Sequence, residues 1–290
     1  MKLLLTNKDG KTLDLLNNEN CFVLTKADGL HGVDTDIGTS ESPYMDGVNV
    51  VSVKALPRGI SLTLKLKSDI KSNIDFITDI VKSKQLVTLT EEENDDTITI
   101  KGIATIPPYT RMLSACSVQI DIYCGQPYWE DVNTIIGTIS TAIELLNFPD
   151  EIGQYFAEEG RPFGVINQDL EKTIENDGDV SVGMIIRLVA RGNITNPSIY
   201  CSTGEQKGNF MKLNISLKDG DEVEISTITG NKYIKLNNRE IYLGKSLVSY
   251  LEFRGQNWLQ LETGTNTFNA KADSGSENIQ FLMTYKRRFE

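Results

Sequence analysis

The segment Ile60-Ser61-Leu62-Thr63-Leu64-Lys65-Leu66 decides the class of fold. Its aliphatic side chains alternate with Ser, Thr and Lys. Successive side chains of an extended strand point to opposite faces, so this segment has one dry face and one wet face. The same period of two recurs at Cys116–Cys124, at Met211-Leu213-Ile215-Leu217 and at Ile279-Phe281-Met283-Tyr285. Turn chemistry falls between such runs, at Asp9-Gly10, Asp219-Gly220-Asp221, Thr229-Gly230-Asn231 and Asn237-Asn238. Both halves of the chain are therefore expected to be mainly antiparallel β.

One stretch breaks the alternation. In Asp69–Lys84, Ile70, Ile74, Ile77, Ile80 and Val81 recur at helical spacing, with Ser68 or Asp69 as the expected N-cap. The first domain is thus expected to be a β domain with a single helix, at about residues 69–84, laid across it. A weaker helical reading covers Ile135–Leu146, which is poor in helix formers. A length of 290 residues allows two domains at about 100–200 residues each. Pro149, Gly153, Gly160 and Pro162, with little periodicity around them, place the boundary somewhere in Asp131–Pro162. The expected layout is a domain over 1–135, a connection over 136–162 and a second domain over 163–290. The second domain carries about eight short strand-like segments, spaced as in a sandwich or jelly roll.

Composition removes several classes of function. The chain has 29 basic and 40 acidic side chains and a net charge of −11. The sign is the same in both halves: residues 1–145 carry −7 and the remainder −4. Neither half offers the basic stripe of a general nucleic-acid binder. The longest apolar stretches, such as Met184–Ala190, are short and interrupted by Arg187, so no membrane span is expected. The opening Met1-Lys2-Leu3-Leu4-Leu5 runs at once into Asn7-Lys8-Asp9-Gly10, too soon for a signal peptide, and a cytoplasmic product is expected. Cys21, Cys116, Cys124 and Cys201 are widely spaced, contain no CxxC and read as reduced, packed thiols.

The search for chemistry returns decoys. His31 is the only histidine, whereas a His-based zinc site needs two or three ligands, and no nucleophile motif surrounds it. Gly244-Lys245-Ser246 resembles the end of a phosphate-binding loop, but Arg239 stands where that pattern needs glycine. Glu91-Glu92-Glu93-Asn94-Asp95-Asp96 and Asp34-Thr35-Asp36 lack the spacing of a calcium loop and read as solvated turns. Trp129 and Trp258 lie in apolar or strand contexts that favour core packing over sugar stacking. No catalytic residue, cofactor or metal is expected, and no enzymatic role.

Whole patterns carry more than single motifs. Met45-Asp46-Gly47-Val48 is followed by Arg58-Gly59-Ile60-Ser61-Leu62-Thr63-Leu64, then by the helical stretch, and Asp121–Cys124 runs into Gln126-Pro127-Tyr128-Trp129. Later, Asn176–Val180 leads into Gly183–Arg191 and Asn196-Pro197, and Leu213–Leu217 into Lys218-Asp219-Gly220-Asp221, with Val223, Ile225, Thr227 and Gly230 beyond. Gln256–Leu261 and Thr263-Gly264-Thr265-Asn266 follow as a closing hairpin. In this order and spacing the chain resembles the distal tail protein family of long-tailed bacteriophages, also found in phage-tail-like bacteriocins.

That resemblance implies an N-terminal ring-forming β domain with one helix and a C-terminal galectin-like β-sandwich. It implies a structural virion protein, the distal tail hub. Its hexameric ring would join the tail tube to the baseplate or tail-tip and receptor-binding proteins. DNA would cross the central channel without specific binding, and acids lining that channel would repel its phosphates. Some relatives carry carbohydrate-binding insertions, for which this length leaves no room. The alternative function is a carbohydrate-binding surface module that attaches a phage or phage-like particle to the host cell wall.

Overall fold

The alternating segment lies in a long strand next to one edge of a large antiparallel sheet and turns its aliphatic row to one side. A computed structural model describes residues 1–17, 22–44, 46–67, 69–82, 84–94, 96–107, 116–139, 142–144, 164–166, 171–236 and 258–290. The chain divides into two compact units, Met1–Asn133 with Arg288–Glu290, and Thr134–Arg287.

The first unit begins with β1 (Lys2–Asn7), β2 (Thr12–Asp14), β3 (Phe22–Asp28), β4 (Thr35–Ser40) and β5 (Asn49–Ala55). It continues with β6 (Arg58–Leu66), α1 (Ile70–Ile80), β7 (Leu86–Glu93), β8 (Asp96–Thr105), β9 (Cys116–Cys124) and β10 (Trp129–Asp131). The main sheet runs in the order β2-β1-β7-β8-β9-β6-β3, and β10 joins it through β8. In β6 the aliphatic residues are all buried while Ser61, Thr63 and Lys65 stay partly or fully exposed. In β9, Cys116, Val118, Ile120, Ile122 and Cys124 behave likewise. Helix α1 closes the dry face with Ile77 and Ile80. Asn7 ties the β1–β2 turn to it: its Oδ1 accepts from the Asp9 and Lys11 N–H groups, and its Nδ2 donates to the Ile80 carbonyl at 3.4 Å.

The helix is shorter than the periodicity predicts, and its start differs. Asp69 lies in the left-handed region, at φ 45° and ψ 48°, so its side chain makes no cap and only its carbonyl engages the helix, through the Asn73 N–H. An N-cap side chain works from an extended backbone, a geometry Asp69 does not have. The other expected cap, Ser68, lies outside the described residues. At the far end Val81 leaves helical geometry after its N–H bonds to the Ile77 carbonyl. Its side chain is buried, which turns the chain toward β7 before Lys84 is reached.

The second unit comprises β11 (Ile135–Ile139), β12 (Ala142–Glu144), β13 (Gly164–Ile166), β14 (Glu171–Asn176), β15 (Ile185–Ala190), β16 (Ile194–Thr195) and β17 (Ser198–Cys201). Then come β18 (Phe210–Lys212), β19 (Ser216–Leu217), β20 (Glu222–Ser226), β21 (Tyr233–Leu236), β22 (Gly264–Lys271) and β23 (Ile279–Tyr285). A five-stranded sheet, β11-β23-β15-β20-β21, and a four-stranded sheet, β14-β22-β17-β18, contribute to one core. Phe281 and Leu188 come from the first, Phe268 and Ile199 from the second. Two sheets that share one core form a sandwich, and this architecture is consistent with a galectin-like domain. The chain is mainly β.

Three sequence expectations are corrected here. Ile135–Ile139 is not helical but a strand, paired with β23 from Ile135↔Tyr285 to Ile139↔Phe281. Three isoleucines and a threonine in five residues suit a pleated surface, and the stretch belongs to the second unit rather than to a connection. The Met211–Leu217 run is not one strand. It splits into β18 and β19, because the Leu213 N–H turns to the Pro197 carbonyl and that of Ile215 to the Leu213 carbonyl. Finally, the second domain does not run to the last residue. Arg288-Phe289, here β24, pairs with β10 of the first unit through Trp129↔Phe289 and Glu130↔Arg288. The Arg288 guanidinium also donates to Glu130 Oε1 at 2.6 Å.

An otherwise full-length chain ending at Arg287 loses this pairing and the half-buried Phe289. Its first unit is expected to lose about 2–3 kcal/mol, from one side chain's partial burial and a few hydrogen bonds. Calorimetry should show one transition shifted down and the other unmoved; an unchanged thermogram would refute the role given to β24.

Candidate assembly surfaces

The polar residues that looked most like chemistry are scattered. His31 is 61% exposed, and its Nε2 stands 4.0 Å from Glu91 Oε2. Glu91–Glu93 end β7 at a turn whose Asn94 has φ 48°, and Glu93 and Asp96 are exposed. Asp34 and Asp36 lie at the base of the β4–β5 hairpin. Among the described residues, no group of three or more His, Cys, Asp or Glu side chains is placed to hold a metal ion. Nor is any helix among them long and apolar enough to cross a membrane. Gly244-Lys245-Ser246, Cys21 and Asp95 lie outside the described residues, while Cys116, Cys124 and Cys201 are buried free thiols. Trp129 is fully buried; Trp258 is partly buried, with the Lys232 ammonium 5.5 Å from its ring centroid.

What the structure does organise is the root of a projecting ribbon. Trp129 Nε1 donates to the Leu30 carbonyl at 2.7 Å, and Arg58 Nη1 donates to the same oxygen at 2.6 Å. Gly29, at φ +75°, brings that loop against β6 so closely that a Cβ would lie 2.1 Å from the Gly59 carbonyl oxygen. No other residue fits there. Arg58 is 5% exposed, and among the described residues its Nε and Nη2 have no hydrogen-bond partner. Burial accordingly pulls its pKa down. Cys124, opposite Arg58 in the β6–β9 register, has its thiol pushed up to about 11 by burial.

From this root β4 and β5 leave the main sheet as a separate two-stranded ribbon, closed at its base by the Leu56 N–H on the Asp34 carbonyl at 2.7 Å. Every residue of the two strands is exposed except the half-buried Gly38 and Ala55. Ile37 pairs directly with Val53 and, beyond a bulge at Val51, Thr39 pairs with Val50, so Ile37, Val53 and Val50 share a face. They are 54%, 65% and 61% exposed respectively. Asp36 and Lys54 pair on the other face. Sequence reasoning passed over this ribbon, because Asn49-Val50-Val51-Ser52-Val53 has the composition of a buried strand and the sequence says nothing about what covers it.

Residues 177–289 match the siphovirus-type tail component family, in its C-terminal domain. That stretch belongs to the family. The resemblance to phage distal tail proteins read from the sequence is thereby borne out, and the fold agrees with it over the whole length. The Dit (gp 19.1) protein of SPP1 is described as a paradigm of hub adsorption apparatus in phages infecting Gram-positive bacteria. It shares 14% identity and a TM-score of 0.63 with this chain, over 98% of each. A chain in the phage P2 baseplate, in its activated conformation with Ca, shares 12% identity and a TM-score of 0.46, over 99% of this chain and 97% of that one. No curated protein sequence matches.

The Cys124 thiol gives the first unit a pH signature. A pKa raised from 9.0 to about 11 means that the fold favours the protonated thiol. Its stabilising contribution is complete below pH 9 and is lost as pH rises from 9 to about 11. The denaturation midpoint of the first unit should fall across that window in the native chain and fall less steeply in Cys124→Ala. Equal slopes would show that the thiol is not desolvated.

Proposed function

We propose that the chain is a distal tail hub: six copies close a ring that joins the tail tube to the baseplate or tail-tip and receptor-binding proteins. The observation that carries this reading is the tail-component domain at 177–289, on a chain whose whole length has the fold of a hub protein. The division into a first unit, nominated for the ring, and a sandwich, nominated for contact with neighbouring proteins, supports it. So does the charge. Six copies carry about −66, six times −11, which repels DNA phosphates and suits a channel through which DNA slides without binding. The protein would be made in the host cytoplasm and reside at the distal end of the virion tail.

The sugar-binding alternative has no specific observation in its favour. Trp129 is at 0% exposure and offers no ring face to a sugar.

Native mass spectrometry of the purified full-length chain tests the ring. A species near 194 kDa, six times 32.3 kDa, is expected. A monomer that persists as concentration rises would contradict it.

A further inference from the structure

We propose that the β4–β5 ribbon of one copy docks, apolar face down, into the groove around Gly59, Ile103 and Tyr123 of a second copy. The inference deepens the ring reading and rests on it. Its first support is a ribbon that no described residue of its own copy covers. A lone two-stranded hairpin is marginal in water, and β-branched residues earn their place in strands by packing on a neighbour. Here Ile37, Val50 and Val53 line one face of such a hairpin and stand more than half exposed.

The second support is a receptive surface on the same unit. Gly59, Tyr123 and Ile103 are aligned across β6, β9 and β8 by the register Gly59↔Tyr123 and Ile103↔Tyr123. Together with Ser61, Thr105 and Asp121 they line an open groove. Tyr123 is 61% exposed and Ile103 38%, although both sit in strands. On the far side of Tyr123 from Ile103, Gly59 leaves a notch, since a Cβ built there meets nothing within 4 Å. A valine methyl from outside fits such a notch, and none of Ile37, Val50, Val53, Tyr123 and Ile103 brings a charge that would have to be desolvated, as in the core of stable interfaces.

The third support is size and symmetry. Residues 35–55 span 21 positions, nearly all exposed, close to the roughly 20–30 residues per side of a standard interface. The ribbon ends at Ala55 and the groove begins at Gly59, so every copy presents ridge and notch side by side. Two different surfaces that meet make a head-to-tail contact, which repeats from copy to copy and closes a ring when the rotation between copies divides a full turn.

Two charge insertions at exposed positions test this in the full chain. Val53→Glu spoils the ridge and Ile103→Glu the notch, and both should leave melting temperatures unchanged. Light scattering after gel filtration should find each variant monomeric, with association weakened roughly 30-fold or more. Mixed one to one, they retain one intact ridge and one intact notch, and a species near 65 kDa, twice 32.3 kDa, should appear. A ring that survives either substitution overturns the docking while leaving the hexamer standing. Monomers that stay monomers on mixing overturn the pairing of these two surfaces. A native chain that never associates overturns both the docking and a self-sufficient ring.

Discussion

A sheet whose dry side chains all fall on one face must find a second layer for that face, and each unit meets this demand differently. In the first, the aliphatic rows of β1, β6, β7, β8 and β9 converge on a core that helix α1 closes with Ile77 and Ile80. In the second, two sheets cover one another, with Phe281 from one and Phe268 from the other in the same cluster. The β4–β5 ribbon is the exception: it has an apolar face that no layer covers among the described residues.

Much of this was legible because alternation is local. Ile60–Leu66, Cys116–Cys124 and Ile279–Tyr285 each read as strands from their own residues, and each is one. The misreadings occur where a distant partner decides. Ile135–Ile139 becomes a strand because β23, some 150 residues later, pairs with it. Arg288-Phe289 is too short to carry any pattern, yet it returns to β10, so the first unit takes residues from both ends of the sequence. Asp69 has the right identity for a cap and the wrong backbone for one, a fact fixed by φ and ψ rather than by residue type.

The functional surface was less legible than the fold, for a physical reason. Catalytic and metal chemistry leaves a trace in residue types, and the scarcity of histidine and the scattering of carboxylates were readable at once. Assembly surfaces leave almost none. Val51 and Val53 in an exposed ribbon are the same letters as valines in a core, and Gly59 in a notch is the same letter as a turn glycine. Only accessibility separates them. The family resemblance rested on turn positions and alternation in a fixed order, features that encode the fold directly, and the fold is what this chain shares with the SPP1 hub protein at 14% identity.

The most direct test of the account is a cryo-electron microscopic reconstruction of the tail end of the particle that carries this chain. It predicts six copies in a closed ring at the distal end of the tube, first units contiguous around a channel. A tail end built without the chain, or holding it as isolated single copies, would contradict the account.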